Sequence, residues 1–515
     1  MTIRTLPDVV RTHAAARPDH PALVCGDSGR VWSYAELDRA TDRVAAGLAA
    51  LGVGNGHRIG FLDKNAPEYF LWLYGGNKLG AVTVAVNWRL APPEMEYILD
   101  HAEVQTLLVG AEFLDRIAQV DVPNLKQVVV LGDPGDSGYP SLEQWLAAID
   151  GEPPAVDVRP EDTCYQLYTS GTTGLPKGVE LTHANLLTLL PTNPHRMSAD
   201  TVNLVCMPLF HIAGSGWGAV THYWGGTAIV LREVDVAKIF RLIPEHRVTH
   251  AMFVPAVLQG MVAVPGVEDV DFSSLELIVY GASPITEAVL VRSMEVFGCQ
   301  FMQAYGLTET TGIGTFLPPE DHDPGGDGAW LLRSCGRPPE GGEVKIADPA
   351  GSTCPDGTVG EICIRGPFNM KGYWKNPEAT AKAFSGDWFH TGDAGYTKDG
   401  YVFIHDRIKD MIISGGENIY PAEVENVLMK HPEVADCAVV GVPSEQWGET
   451  VKAVVTRSSD ALTGEALIEH CREHLARYKC PTSVDWMETI PRNPSGKILK
   501  RELREPYWAG HERNV

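Results

Sequence analysis

Leu37, Ala40, Val44, Leu48 and Leu51 recur at three- and four-residue intervals, the spacing of one helix face. Ser33 before this run and Glu36 three residues later form the pair that caps a helix start, and Gly52 marks its end. The pattern predicts a helix between Ser33 and Gly52. Strand-like apolar runs at 82–86, 106–109 and 127–131 then alternate with helical ones. That alternation predicts layered α/β structure. The apolar run 69–74 soon meets Asn77 and Lys78. It falls short of the roughly 20 residues a membrane span needs, so it reads as a buried helix.

Three apolar strands run directly into polar loops. Residues 165–168 enter a Ser/Thr/Gly loop, 275–280 enter Gly281-Ala282-Ser283-Pro284, and 301–305 enter Gly306-Leu307-Thr308-Glu309. Ligands of open α/β sheets collect outside the carboxyl ends of strands, so these loops predict one shared site. After about residue 406 the pattern changes. A helix is expected near Pro421, with Val424, Val427 and Leu428 on one face, then strands at 438–442 and 451–456 and a helix over 464–477. This is a separate α+β unit of about 105 residues, within the usual domain size. The expected division is 1–406, a joint at 407–409 in the charged run Asp406-Arg407-Ile408-Lys409-Asp410, and 410–515.

Charge narrows the range of partners. The chain of 515 residues carries 42 Lys and Arg against 66 Asp and Glu, a net charge of −24. Phosphate-backbone binding needs clustered cations, which argues against a nucleic-acid binder and against an anionic membrane surface. A hydrophobic content of 44% with 21% charged residues excludes bulk disorder. The ten cysteines include no C-x-x-C pair, which argues against a disulfide framework or a zinc site. With no apolar signal segment at the start, a reducing, cytoplasmic setting is expected.

The strongest chemical signal is Tyr168-Thr169-Ser170-Gly171-Thr172-Thr173-Gly174-Leu175-Pro176-Lys177-Gly178. Its glycines allow close backbone approach, and its N–H groups, hydroxyls and lysine suit a polyphosphate. It is not a Walker A loop, because Pro176 precedes the lysine and Gly178 follows it. Six further strings follow in order. They are Tyr305-Gly306-Leu307-Thr308-Glu309, Gly360-Glu361-Ile362-Cys363-Ile364-Arg365-Gly366, Trp388-Phe389-His390-Thr391-Gly392-Asp393, Asp406-Arg407-Ile408-Lys409-Asp410, Ser414-Gly415-Gly416-Glu417-Asn418 and Pro491-Arg492-Asn493-Pro494-Ser495-Gly496-Lys497.

With these strings the chain resembles, from about residue 10 to 503, the adenylate-forming superfamily. Its members are acyl-CoA synthetases, 4-coumarate-CoA ligases, luciferases and peptide-synthetase adenylation domains. The resemblance implies a large N-terminal region of layered α/β subdomains with a small, mobile C-terminal α+β domain. It implies a two-step ligase: a carboxylate attacks ATP to give acyl-AMP and pyrophosphate, and a thiol then takes the acyl group. Mg²⁺ and coenzyme A are the expected companions of ATP, and a small carboxylic acid is the substrate.

By the same resemblance Thr169, Ser170, Gly171, Thr172, Thr173, Gly174 and Lys177 hold the phosphates. Gly281, Ala282, Ser283, Tyr305 and Gly306 wall the adenine, while Asp393 and Arg407 hold the ribose or phosphate. Thr308 donates to a phosphate, and Glu309 is the Mg²⁺ ligand. Lys497 reaches the carboxylate and α-phosphate during adenylation. Lys409 is the hinge about which the small domain turns. Ser414, Gly415, Gly416 and Trp447 serve coenzyme A. His211, Gly214 and Trp217 form the acyl pocket, with His211 a positioning group rather than a base. The small residues Gly214, Gly216 and Gly218 suggest a roomy pocket.

The acid expected is a fatty acid, because the run 410–425 looks most like bacterial fatty-acyl and aryl-CoA ligases. The alternatives are an aryl- or arylpropenoyl-CoA ligase, an adenylating enzyme that loads a carrier protein, and a non-catalytic acyl-binding relative. Joint retention of Lys177, Glu309, Asp393, Arg407 and Lys497 argues against the last. A homo-oligomer remains open.

Overall fold

The computed structural model of the protein describes residues 3–169, 175–407, 410–414, 417–444, 446–492 and 498–509, and only the backbone at 406, 407 and 418. Two large sheets organise the N-terminal region. In the first, the parallel strands Pro21–Cys25, Thr227–Val230, Val202–Val205, His250–Phe253, Leu277–Gly281 and Gln300–Tyr305 lie side by side. The antiparallel strands Val31–Ser33 and Thr315–Leu317 close its edges. In the second, Thr163–Thr169, Val82–Ala85, Arg58–Leu62, Val104–Gly110 and Gln127–Leu131 run parallel. Lys177–Thr182 and Gly372–Tyr373 add antiparallel at one side.

The helices between the sheets follow the sequence pattern. Tyr34–Ala50 starts at Ser33, whose Oγ accepts the Glu36 N–H while the Glu36 carboxylate accepts the Ser33 N–H. Glu68–Asn77 has no polar face, and every position from Tyr69 to Asn77 is buried, as in a helix covered on all sides. It packs on the second sheet, and Ile212–Tyr223 packs on the first. The two helices meet where Gly218 faces Phe70; a Cβ on Gly218 would lie 2.3 Å from the Phe70 ring. No helix among the described residues is long and apolar enough to cross a membrane.

A third, antiparallel sheet of Glu343–Ala347, Gly360–Arg365, Trp388–Lys398, Phe384–Ser385 and Tyr401–Arg407 carries Asp393. Beyond it lies the α+β unit. Its sheet runs Glu417–Ile419, Ile412–Ser414, Gly448–Arg457 and Val434–Ser444, with Ser483–Trp486 parallel to Gly448–Arg457. Along Val434–Ser444 side chains alternate between two cores: Cys437 and Val439 face one, Ala438, Val440 and Val442 the other. Helices Pro421–Leu428 and Gly464–His474 cover the first face, and Lys500–Trp508 covers the second. The helix expected over 464–477 stops at His474, and Arg477–Lys479 forms a separate 3₁₀ turn.

Candidate active site

The first wall of the site is built where two parallel strands end together. Gly281 pairs with Ala304, and a Cβ on Gly281 would lie 2.1 Å from the Ala304 carbonyl oxygen. Only glycine permits that approach. Ala282 then turns the chain with φ +67°, a left-handed conformation costly for alanine. Gly306 packs against the backbone of Gly312, where a Cβ would sit 2.4 Å from the Gly312 carbonyl carbon. This folds the Thr308–Thr310 turn back over the strand end.

Tyr305 is buried, and its hydroxyl donates to Asp393 Oδ2 at 2.8 Å. Burial, with the Asp393 charge beside it, holds the phenol far above its usual pKa, so it stays a donor. Asp393 is itself 6% exposed, and its N–H donates to Thr391 Oγ1. The turn before it is braced by Glu361, which accepts the Gly392 N–H at 3.0 Å and pairs with His390 Nδ1 at 2.7 Å. Arg407 pairs with Asp393 through the backbone, and its side chain lies outside the described residues. The ring of Tyr305 and the carboxylate of Asp393 therefore form one unit.

The second wall comes from the other large sheet. Thr169 pairs with Lys177 at the mouth of a hairpin. Ser170, Gly171, Thr172, Thr173 and Gly174 lie outside the described residues. Lys177 Nζ sits 4.8 Å over the Tyr373 ring, and Tyr373 Oη donates to Glu309 Oε1 at 2.9 Å. Tyr373 thus joins the two loops, one from each sheet. It was not legible as a site residue, because only the pairing of Tyr373 with Val179 carries it there. Its neighbour Trp374 is fixed beneath Arg58, which also binds Glu180 at 3.0 Å.

Glu309 is 8% exposed and makes no ion pair among the described residues. A nearly buried carboxylate with only a neutral donor is a good seat for a hard divalent cation. Thr308 is half-buried in the same turn, and Ser283 is half-buried after Ala282.

Behind these walls lies an apolar cavity of about 120 Å³ that reaches Ala282 and Gly306. Leu190, Met252, Val279, Ile313 and Phe316 line it together with Ala213, Gly216, Trp217 and Val220 of the Ile212–Tyr223 helix. These helix positions share one face by their three- and four-residue spacing. Gly214 does not belong to that face. A Cβ there would lie 2.4 Å from the Met207 and Pro208 carbonyl oxygens, so its smallness serves packing rather than the pocket. Gly218 packs on Phe70 for the same reason, and of the three helix glycines only Gly216 lines the cavity.

His211 caps this helix with its ring 4.6 Å from Phe210. Burial and then the Arg89 charge push its pKa down to about 4, and His211, expected to wall the acyl pocket, is not among the residues that line this cavity. A neutral imidazole with Nε2 unpartnered is suited to hydrogen bonding, not to proton abstraction.

In the α+β unit Ser414 pairs with Gly448, which brings it beside Trp447, 51% exposed. Gly415, Gly416, Lys409 and Lys497 lie outside the described residues.

Comparison with known proteins gives a consistent result. The family described as AMP-binding enzyme matches residues 10–374, and the AMP-binding enzyme C-terminal domain matches 423–497. A fatty acid–[acyl-carrier-protein] ligase of Streptomyces coeruleorubidus is 40% identical over 100% of this chain and 98% of its own. A feruloyl-CoA synthase of an Amycolatopsis species is 39% identical over 96% of this chain and 97% of its own. A solved structure, Mycobacterium tuberculosis fatty acyl CoA synthetase, superposes with a TM-score of 0.78 at 34% identity, covering 99% of each chain.

Proposed function

Because this chain belongs to the AMP-binding enzyme family, and is an acyl-adenylate-forming, AMP-forming acid–thiol ligase, we propose that it joins a fatty acid to coenzyme A. The observation that carries this is the apolar cavity opening at Ala282 and Gly306, the same loops that wall the nucleotide side. An acyl chain lying there brings its carboxylate to the Lys177–Tyr373–Glu309 and Tyr305–Asp393 groups. An apolar cavity of about 150 Å³ holds one benzene ring, so the about 120 Å³ here takes an apolar group of ring size at most. The same ring-sized space supports an arylpropenoic acid as the second reading.

Each group has a defined task. Asp393 accepts the ribose hydroxyls while the Tyr305 hydroxyl fixes its carboxylate. Thr169, Lys177 and residues 170–174 receive the phosphates, with Thr308 donating from the opposite wall and Arg407 assisting. Mg²⁺ bound at Glu309 would neutralise phosphate charge. His211 orients the acid carboxylate. Lys497 supplies the charge for attack of that carboxylate on the α-phosphorus, with pyrophosphate leaving. The α+β unit then turns about Lys409, and Ser414, Gly415, Gly416 and Trp447 admit the thiol, which attacks the acyl carbon as AMP departs.

The test is thioester formation with ATP and Mg²⁺ across a panel of acids. Coenzyme-A-dependent turnover of medium-chain acids is expected. Adenylate that coenzyme A cannot discharge, but a phosphopantetheinyl carrier protein can, would overturn the coenzyme A assignment.

A further inference from the structure

Two groups of side chains among the described residues bring metal-binding atoms together: Glu361, Cys363 and His390, and His470, Glu473 and His474. In each group one donor atom per residue lies within 4.8 Å of the others. The first group is engaged within the fold. Glu361 accepts the Gly392 N–H with one oxygen and pairs with His390 Nδ1 through the other, and Cys363 is fully buried. The second group lies at the surface of the α+β unit. His470 is half-buried, and Glu473 and His474 are exposed.

All three belong to the helix Gly464–His474. Residues three and four apart on a helix are surface neighbours, so positions 470, 473 and 474 share one face. The two imidazole rings stand 4.7 Å apart, centroid to centroid. Arg472 pairs with Glu469 at 3.0 Å, which leaves Glu473 without an ion pair among the described residues.

The backbone fixes the state of both rings. His470 Nε2 lies 3.0 Å from the Val427 carbonyl oxygen, and His474 Nδ1 lies 2.8 Å from the His470 carbonyl oxygen. A carbonyl only accepts, so each of these nitrogens carries a proton. In the neutral rings the free lone pairs are then on His470 Nδ1 and His474 Nε2. Metal-ligating histidines are held in the same way, with the second N–H on a carbonyl or carboxylate. The His431 ring stands 5.2 Å from that of His470 but adds no ligand, because its Nδ1 accepts the Glu433 N–H at 3.3 Å.

We propose that His470, Glu473 and His474 bind a divalent d-block ion of the Zn²⁺ class. Two imidazoles and one carboxylate are a donor set that zinc accepts, with water in the fourth place. Mg²⁺, the ion expected at Glu309, takes oxygen ligands and is not suited to this set. The site uses no cysteine, so the lack of C-x-x-C spacing does not bear on it. A bound ion ties down the last turn of Gly464–His474 and, through the His470 ring, the end of Pro421–Leu428.

The experiment titrates the full chain, freed of metal by chelation, with Zn²⁺ by calorimetry and with Co²⁺ as a coloured probe. One equivalent should bind in the presence of excess Mg²⁺, with the visible absorption of four-coordinate Co²⁺. Zn²⁺ should also slow amide exchange within Gly464–His474. His474→Ala should weaken binding at least about tenfold, since losing even the partner that supports a ligand costs about 10–100-fold. Glu473→Gln, at an exposed position, should weaken it as well while the fold is undisturbed. Cys363→Ser should leave the affinity unchanged, which separates the first group from the second. No saturable binding, binding that Mg²⁺ displaces, or an affinity equal in the wild type, His474→Ala and Glu473→Gln would overturn the proposal.

Discussion

Removing one oxygen atom separates the nucleotide wall from the fold that supports it. In Tyr305→Phe the ring proposed to face adenine stays and only the bond to Asp393 Oδ2, 2.8 Å long, is lost. A hydrogen bond to a charged group contributes about 1.5–3 kcal/mol. At 1.4 kcal/mol per factor of ten, that is roughly 10- to 150-fold. Asp393 keeps the Thr391 contact of its N–H and a further interaction, so the lower end applies. The KM for ATP should rise about tenfold with kcat little changed. Discrimination against 2′-deoxy-ATP should shrink as well, because the carboxylate proposed to read the ribose is no longer fixed. A denaturant midpoint lowered without a change in slope would report the accompanying loss of stability. A destabilised variant with unchanged ATP KM and unchanged ribose discrimination would refute the reasoning. It would mean the hydroxyl serves folding alone.

Other consequences can be checked independently. Lys497→Ala should abolish acyl-AMP formation yet largely spare thioester formation from synthetic acyl-AMP; equal loss of both half-reactions would sink domain alternation. Gly281→Ala places a methyl 2.1 Å from a backbone oxygen that cannot rotate away, so the strands must part. A loss of about 2 kcal/mol or more in unfolding free energy is expected, against little change for substitution at the open Gly260. Acid sensitivity follows from His183, His222 and His250, whose pKa values burial lowers to about 4. Their neutral forms stabilise the fold fully above about pH 6.5, and that stability is lost as pH falls towards 4. Each contributes a slope of at most about 1.4 kcal/mol per pH unit. Unfolding midpoints flat between pH 6.5 and 4.5 would contradict this.

Local signals were readable where a few neighbouring residues decide the structure. Ser33 and Glu36 announce a helix start because both partners lie within one turn. The run 69–74 reads as buried because no polar face interrupts it. The three loops after apolar strands mark the ligand end of the sheets, and the structure ties two of them together. That tie, Tyr373, was not readable, since it reaches Glu309 only through a strand pairing distant in sequence. Gly214 was misplaced for a related reason. Motif position puts it in the pocket, but the helical turn points it at Met207 and Pro208, and Gly218 at Phe70. Long-range pairing and side-chain direction, rather than composition, account for what the sequence left unread.

The central claim is that a carboxylate oxygen attacks the α-phosphorus of ATP and that coenzyme A then takes the acyl group. It is tested most directly with an acid labelled with ¹⁸O in its carboxyl group, ATP and Mg²⁺, followed by coenzyme A. The account predicts one labelled oxygen in the AMP released, none in pyrophosphate, and acyl-CoA in equal amount to AMP. Label in pyrophosphate or inorganic phosphate, or AMP released without label, would contradict it.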